Sequence, residues 1–344
     1  MGVSGPEIKA GVKKASAWAT PVACGANNGV LLTGDNLKKA IESILDDSLG
    51  MPFSEQRDMG QVKVEGSLNA FMRYDGLDTL IALAMGATGG APTQQGTTTA
   101  YAQKFTLSDI LDGLFATVAI NKKVNVFEYP SVKVSGWTLR AEMGKPVEID
   151  FDVIADNEDF NSSINNLTSF ANVTYFEKEN RILMSQGVFR LNDKSGAALA
   201  DGDKVYPSGF ELSYKRKVTG AYIVGQSNRI DEPQTDGLPE VKLKLTFPRY
   251  TATTYLSALG SDTRKKMDIV FTGSLIEATY YRTFKLQFPH LALLNAEAVT
   301  DKGQVKHPLE FECLATPTAP TGMTGILKPF QVDVINRQSS NVLS

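Results

Sequence analysis

The residues best placed to do chemistry lie in the run VEIDFDVIADNEDF, where Glu148, Asp150, Asp152, Asp156, Glu158 and Asp159 crowd together. Carboxylates at this density could hold a calcium ion. A calcium loop needs a glycine at its sixth position for the sharp turn and a two-oxygen carboxylate at its twelfth. Counted from Asp150 these positions are Ala155 and Asn161, so the match fails. The two histidines, His290 and His307, are too few for a multi-histidine metal site. Each stands beside a proline, and both read as loop or surface residues. No GxSxG elbow, P-loop or HExxH run is present. The glycines of GATGGAPTQQGTTT (86–99) follow a helical pattern and lack a following lysine and helix, which describes a mobile loop rather than a phosphate cradle. Lys215-Arg216-Lys217 has no interleaved aromatic platform and reads as a solvated strand edge. No nucleophile–base pair emerges, so neither an enzyme nor a cofactor is expected.

Composition narrows the field further. The 344 residues can form two domains, and an apolar fraction of 42% suits a globular protein. Thirty-five Lys and Arg against 38 Asp and Glu leave a net charge of −3. That balance opposes tight nucleic-acid binding, which rests on a basic footprint, but leaves room for DNA passing nearby without being held. Cys24 and Cys313 lack CxxC spacing. They read as two buried thiols in a reducing compartment, with a long-range disulfide as the alternative. The N-terminal run lacks the apolar core of a signal peptide, and no stretch approaches the roughly 18 apolar residues of a membrane span.

The elements that would carry these groups come in pairs. YPSVKVSGWTLRAEMGKPVEIDFDVIAD (129–156) and FPHLALLNAEAVTDKGQVKHPLEFECLA (288–315) share an aromatic-proline start, an apolar strand, a turn glycine, a proline and an acidic-apolar alternation. Tyr129-Pro130 matches Phe288-Pro289, and Gly144 matches Gly303, at an offset of 159; Pro146 matches Pro308 at 162. Upstream, Val62–Gly86 resembles Val241–Gly260: a strand opening Val-Lys, an Arg-Tyr pair, then a helical segment ending in glycine. Leu77, Leu80, Ile81 and Ala84 in the first segment, and Tyr255, Leu256 and Leu259 in the second, fall at helical spacing and should pack a helix on a sheet. The order of blocks predicts a duplicated α+β chain, mainly antiparallel β: an arm over 1–17, copy one over 18–157, a polar connector over 158–187, copy two over 188–326, and a C-terminal strand and arm over 327–344. TGDNLKKAIESILDDSLG, from Thr33, reads as a short helix or ordered loop with Asp35 as N-cap and a stripe of Leu37, Ala40, Ile41, Ile44 and Leu45.

In VEIDFDV the apolar side chains point one way and Glu148, Asp150 and Asp152 the other; in PLEFECL the polar side is Glu310 and Glu312. Aligned on the prolines, Glu148 meets Glu310 and Asp150 meets Glu312. A solvated sheet face is the plain reading, yet carboxylates recurring on one face would also repel a polyanion and keep it mobile.

The chain resembles the phage tail tube proteins of long-tailed phages. The resemblance is carried by VEGSLNAFMRYDGLDTLIALAMG, by FRLNDKSGAALADGDKVYPSGFELSYKR (189–216), by LTFPRYT and by the twin hairpins, and covers about residues 20–335. It implies domains that are β-sandwiches or partial barrels with one helix each, joined edge to edge into a ring with a continuous inner β-barrel. It also implies rings that stack into a channel for genome ejection. Two domains per chain imply three chains for a pseudo-sixfold ring, with a hexamer as the alternative. The implied partners are further copies of the chain, the tape measure protein, tail terminator and distal tail proteins, and double-stranded DNA in passage; the implied place is the virion tail, assembled in the host cytoplasm, with no membrane. On this resemblance Glu148, Asp150, Asp152, Glu310 and Glu312 face the lumen. Leu37, Ile41, Ile44, Leu45, Thr88 and Gln94 become ring-stacking candidates. A distal tail or baseplate hub on the same domain, or a carbohydrate-binding attachment module, are the competing readings. The latter wants a surface aromatic platform, whereas Trp18 and Trp137 stand alone.

Overall fold

The computed structural model describes residues 8–46, 53, 57–225, 228–301 and 303–344. Antiparallel strands dominate, as expected. They are β1 (Lys9–Lys14), β2 (Gly34–Asp35), β3 (Lys38–Leu45), β4 (Arg57–Phe71), β5 (Tyr101–Leu107), β6 (Ala116–Asn121), β7 (Val126–Glu142) and β8 (Glu148–Ala155). Beyond the polar stretch follow β9 (Gly187–Asp193), β10 (Gly209–Lys215), β11 (Glu240–Phe247), β12 (Lys265–Glu277), β13 (Tyr280–Asn295), β14 (Val299–Asp301), β15 (Gln304–Cys313) and β16 (Gln331–Asn336). Helix α1 is Asp78–Met85 and helix α2 is Thr254–Gly260.

The long strands β7 and β13 each change partners along their length. The N-terminal half of β7 pairs with β6, which pairs in turn with β1. Its C-terminal half lies between β8 and β10. In the same way β13 begins against β12, which pairs with β9, and ends against β15. The central ribbon therefore runs β3–β4–β8–β7–β10–β11–β15–β13, with β2 extending β3 along β4. Among the described residues these ladders branch but do not return on themselves, so the sheet is not a closed barrel.

Strict alternation builds the ribbon. Strands β8, β11 and β15 bury every second residue, because one face packs inward and the other stays open. The inward side chains include Ile149, Phe151, Trp137, Leu139, Leu212, Tyr214, Leu243, Phe311 and Leu309, each all but inaccessible. Helix α1 lies on this inward side: Leu77, Leu80, Ile81 and Ala84 are buried in the core, and the Tyr214 hydroxyl donates to the Ala84 carbonyl at 3.1 Å. Gly86 ends the helix at φ 96°, a left-handed C-cap that glycine adopts without a Cβ penalty. In α2, Tyr255, Leu256 and Leu259 are only partly buried, and Tyr255 stacks on Phe247. Phe330, just before β16, touches Trp137, Tyr214 and Phe288, so one ring ties β7, β10 and β13 together.

Several expectations change. The stretch from Thr33 is no helix: Lys38–Leu45 pairs with the outer half of β4 as a projecting hairpin, all of its residues exposed. Beyond Leu37 the stripe had no core to face, whereas β4 runs well past the end of β8 and offers an edge that a strand can satisfy. The remainder of that expected helix, 47–50, and residues 1–7 of the expected arm lie outside the described residues. Residues 86–99 are no loose loop, since Gly86–Ala87 and Thr93–Gln94 both pair with β5. The polar stretch 158–187 is folded back on the molecule. Asn165 is buried, its side chain accepting from the Cys24 amide and donating to Val22 O and Glu128, and Phe170 and Val173 join Cys24 in a small second core. The C-terminal strand lies between β13 and β5, and the arm after it docks through an Asn341–Thr88 hydrogen bond of 3.0 Å. His307 is buried, its Nε2 2.8 Å from the Ala296 carbonyl, with Tyr250 and Tyr255 at its ring. Both cysteines are free and buried, and burial pushes the Cys24 thiol up to about 12.

Candidate assembly surface

The ribbon's inward face is covered by α1 and the outer strands, so its open face and its two edges are the surfaces left for function. Strand alternation places Glu148, Asp150 and Asp152 of β8 on the open face, with Glu310 and Glu312 of β15 on the same side. They do not form a bare acidic strip. Arg140, across the hairpin on β7, meets Glu148 at 3.2 Å and Asp150 at 2.7 Å. Its guanidinium is held above its ordinary range, chiefly by the hydrogen bond to Glu148. Asn69 donates to Asp150 from β4. Lys244 pairs with Glu310 at 3.1 Å, and Lys242 stands opposite Glu312 in the ladder. Burial raises the Asp152 carboxyl, with Lys215 opposing the shift. Lys63–Glu65 at 2.8 Å continues the pattern toward β3.

The carboxylates expected to repel a polyanion are thus interleaved with cations. Sequence reading saw the acidic alternation of β8 and β15 but not that β7, β10 and β11 deliver Arg140, Lys215, Lys242 and Lys244 between them. The alternating EVKLK of β11 was the available signal. The proline-based alignment also needs adjusting. Val132 pairs with Ala155 and Gly136 with Asp152; 159 residues on from each β7 residue, Leu291 pairs with Cys313 and Asn295 with Glu310. Position for position, Asp152 matches Glu310, and Asp150 matches Pro308. Glu148 and Glu310 are not counterparts.

The projecting hairpin carries the exposed apolar side chains Ile41, Ile44 (51% exposed), Leu45 (59%) and Met59 (69%). Leu37, grouped with them in sequence, is instead 7% exposed and part of the core. Thr88 is likewise buried under the C-terminal arm, so neither offers a surface on the single chain. Gln94 is exposed on its short strand and donates to the Thr98 carbonyl at 2.7 Å. Among the described residues, no group of three or more His, Cys, Asp or Glu side chains stands in metal-holding geometry.

One sheet face is open and charged, the opposite face is covered, and the projecting hairpin carries exposed apolar side chains. Residues 5–313 match the family described as phage tail tube protein. The chain belongs to that family. Its role is therefore structural, as a component of a virion tail that assembles with other tail parts. A comparison with curated proteins gave no match. As a rule the tail tube family is non-enzymatic.

Proposed function

We propose that the chain is a double tube subunit. Two copies of one unit lie in tandem, three chains close a pseudo-sixfold ring, and stacked rings form the channel through which the genome leaves. The observation that carries this is the recurrence of ladder registers. The first run is β1–β6–β7–β8–β4–β3, the second β9–β12–β13–β15–β11–β10, in the same order. Irregularities recur at matching sites: one between Tyr129 and Val132 and one between Met267 and Lys265, opposite Phe288 and Leu291. A second pair falls between Val134 and Gly136 and between Leu293 and Asn295. Bulges are specific local features, and two unrelated sheets have no reason to share them at one spacing.

In such a ring the open face of the ribbon lines the lumen, since the other face is already filled. Glu148, Asp150, Asp152, Glu310 and Glu312 then stand among Arg140, Lys242 and Lys244. A surface of paired charges offers DNA no continuous basic track, so the duplex slides rather than binds. The tape measure protein would occupy the same lumen before ejection, and terminator and distal tail proteins would meet the tube's two ends. The projecting hairpin, with Ile41, Ile44 and Leu45 exposed, supplies the contact from ring to ring, where burial of apolar surface drives stacking.

Electron microscopy of the purified protein tests the reading. Open-centred rings that stack into tubes are expected; rings that never stack would favour a distal tail or hub role, and compact single particles would refute assembly altogether. Native mass spectrometry of unstacked rings should give a trimer, and a clean hexamer would overturn the threefold count. Changing Glu148, Asp150, Glu310 and Glu312 to lysine should leave tubes intact but slow ejection; normal infectivity would remove these residues from the lumen.

A further inference from the structure

Among the described residues the two runs of strands meet at one junction, where β7 pairs with β10 from Gly136↔Lys215 to Glu142↔Gly209. Each partner has a counterpart at the far edge of the ribbon. Moving 159 residues on from β7 leads to residues 295–301, because Val132↔Ala155 and Leu291↔Cys313 hold matching places. Moving 175 residues back from β10 leads to 34–40: Gly34 pairs with Asn69 on β4 as Gly209 pairs with Thr246 on β11, and Lys38 pairs with Glu65 as Ser213 pairs with Lys242. Both counterparts are edges. Among the described residues, 34–40 pair with β4 alone, and 299–301 with β15 alone.

Resting on the tail tube reading above, we infer that the two edges pair with each other between adjacent copies of this chain, in the register of the internal junction. Thr138↔Ser213 then becomes Glu297 of one copy directly opposite Lys38 of the next, with Ala296 opposite Lys39 and Asp301 opposite Gly34. The side-chain faces agree. Leu37 and Ala296 are buried on the inward side, as are their counterparts Leu212 and Trp137. Lys38 and Glu297 are exposed. The charges agree as well, since a slip of two residues would set Glu297 against Asn36 or Ala40 and leave Lys38 unmatched. Opposite charges placed directly across a ladder stabilise it, and register is specified wherever one face is buried.

Two local details bear on the fit. A Cβ on Gly136 would lie 2.4 Å from the Tyr214 carbonyl oxygen, so this glycine allows the close start of the internal ladder. Asn295 stands at the matching place, and the pairing between copies therefore begins at Ala296. In the single chain the Asn295 side chain accepts from the Glu297 amide at 2.9 Å. Self-bonding of this kind blunts an edge until the right partner arrives.

Cysteine pairs in the full-length protein test the register. Directly opposed residues of an antiparallel pair have Cα atoms about 4.5–5.5 Å apart, within disulfide reach, while diagonal neighbours lie at about 7–8 Å. After assembly and mild oxidation, Glu297→Cys with Lys38→Cys should give covalent oligomers at least about tenfold more than Glu297→Cys with Asn36→Cys or Ala40→Cys. Native Cys24 and Cys313 are buried and give a silent background. A slipped pair that links best would overturn the register, and tubes that form without linking in any pair would overturn the edge pairing while leaving the tail tube reading intact. Wild-type protein that forms neither rings nor tubes would instead sink that reading. Charge exchange covers variants that fail to assemble: Lys38→Glu and Glu297→Lys should each block ring closure, and together restore it. Failure of the double exchange to restore rings would count against the pairing.

Discussion

Replacing Arg282 by methionine should destabilise the subunit severely, because Arg282 holds together segments that are distant in sequence. Its Nε meets Asp75 at 2.9 Å, an Nη meets Glu177 at 2.7 Å, and the other Nη donates to Ser274 at 3.0 Å. Asp75 in turn accepts from the Arg337 amide at 3.0 Å, so the cluster joins the approach to α1, the polar stretch, β12, β13 and the end of β16. The side chains of Arg282 and Asp75 are 4% and 0% exposed. Breaking a buried pair by removing one partner costs about 3–5 kcal/mol, since the remaining charge stays desolvated. Glu177, which keeps some solvent contact, adds less. At about 2–4 °C per kcal/mol for a chain of this order of size, the melting temperature of the unassembled protein should fall by roughly 10 °C. Circular dichroism melts and urea titrations at neutral pH would measure it. Adding Asp75→Asn should recover at least about 1 kcal/mol, because it removes the stranded charge. A single variant within about 1 kcal/mol of wild type, or strictly additive losses in the double variant, would refute the argument.

Asp78 lies beside this cluster, and burial, then the charge of Asp75, pushes its carboxyl up from 3.8 to about 7, against a hydrogen bond from Asn336. A raised acid binds more protons folded than unfolded, so its contribution is present at low pH and lost as pH rises from about 4 to 7; Asp78→Asn should raise stability at pH 8 by on the order of 2–4 kcal/mol and change little at pH 4. A difference from wild type that is the same at both pH values in urea titrations would exclude this linkage. Gly136→Ala should cost about 2–3 kcal/mol, because the new Cβ meets backbone atoms that have no room to yield; unchanged urea midpoints would mean that the junction is looser than its geometry. Ile44→Glu with Leu45→Glu alters only exposed side chains, so folding should stay within about 0.5 kcal/mol while micrographs show rings without tubes. Full-length tubes from that variant would remove the hairpin from the stacking contact.

What the sequence made legible was local and periodic. VEIDFDV and EVKLK declare a half-buried strand because every second side chain must satisfy a different solvent, and Gly86 declares the end of α1 because only a left-handed residue closes it there. The aromatic-prolines at 130 and 289 each mark an irregularity where the strand changes partners. Pro146 and Pro308 misled for a physical reason. A proline marks a position whose N–H is not needed, and such positions differ: Pro146 lies just past the turn, in an isolated bridge to Leu183 before β8, whereas Pro308 lies within the β15 ladder. The helical spacing of Leu37, Ile41 and Ile44 misled for another, because periodicity proposes a helix only where some surface exists to bury its stripe. Here the deciding partner was the overhang of β4, a property of strand length that becomes visible only once β8 is in place. The same holds for Arg140 and Lys244, whose meaning comes from what stands across the ladder rather than beside them in the chain. Local chemistry therefore named the strands. Which charge answers which, and which edge is left for a neighbour, follow from register, and register is a property of the whole sheet.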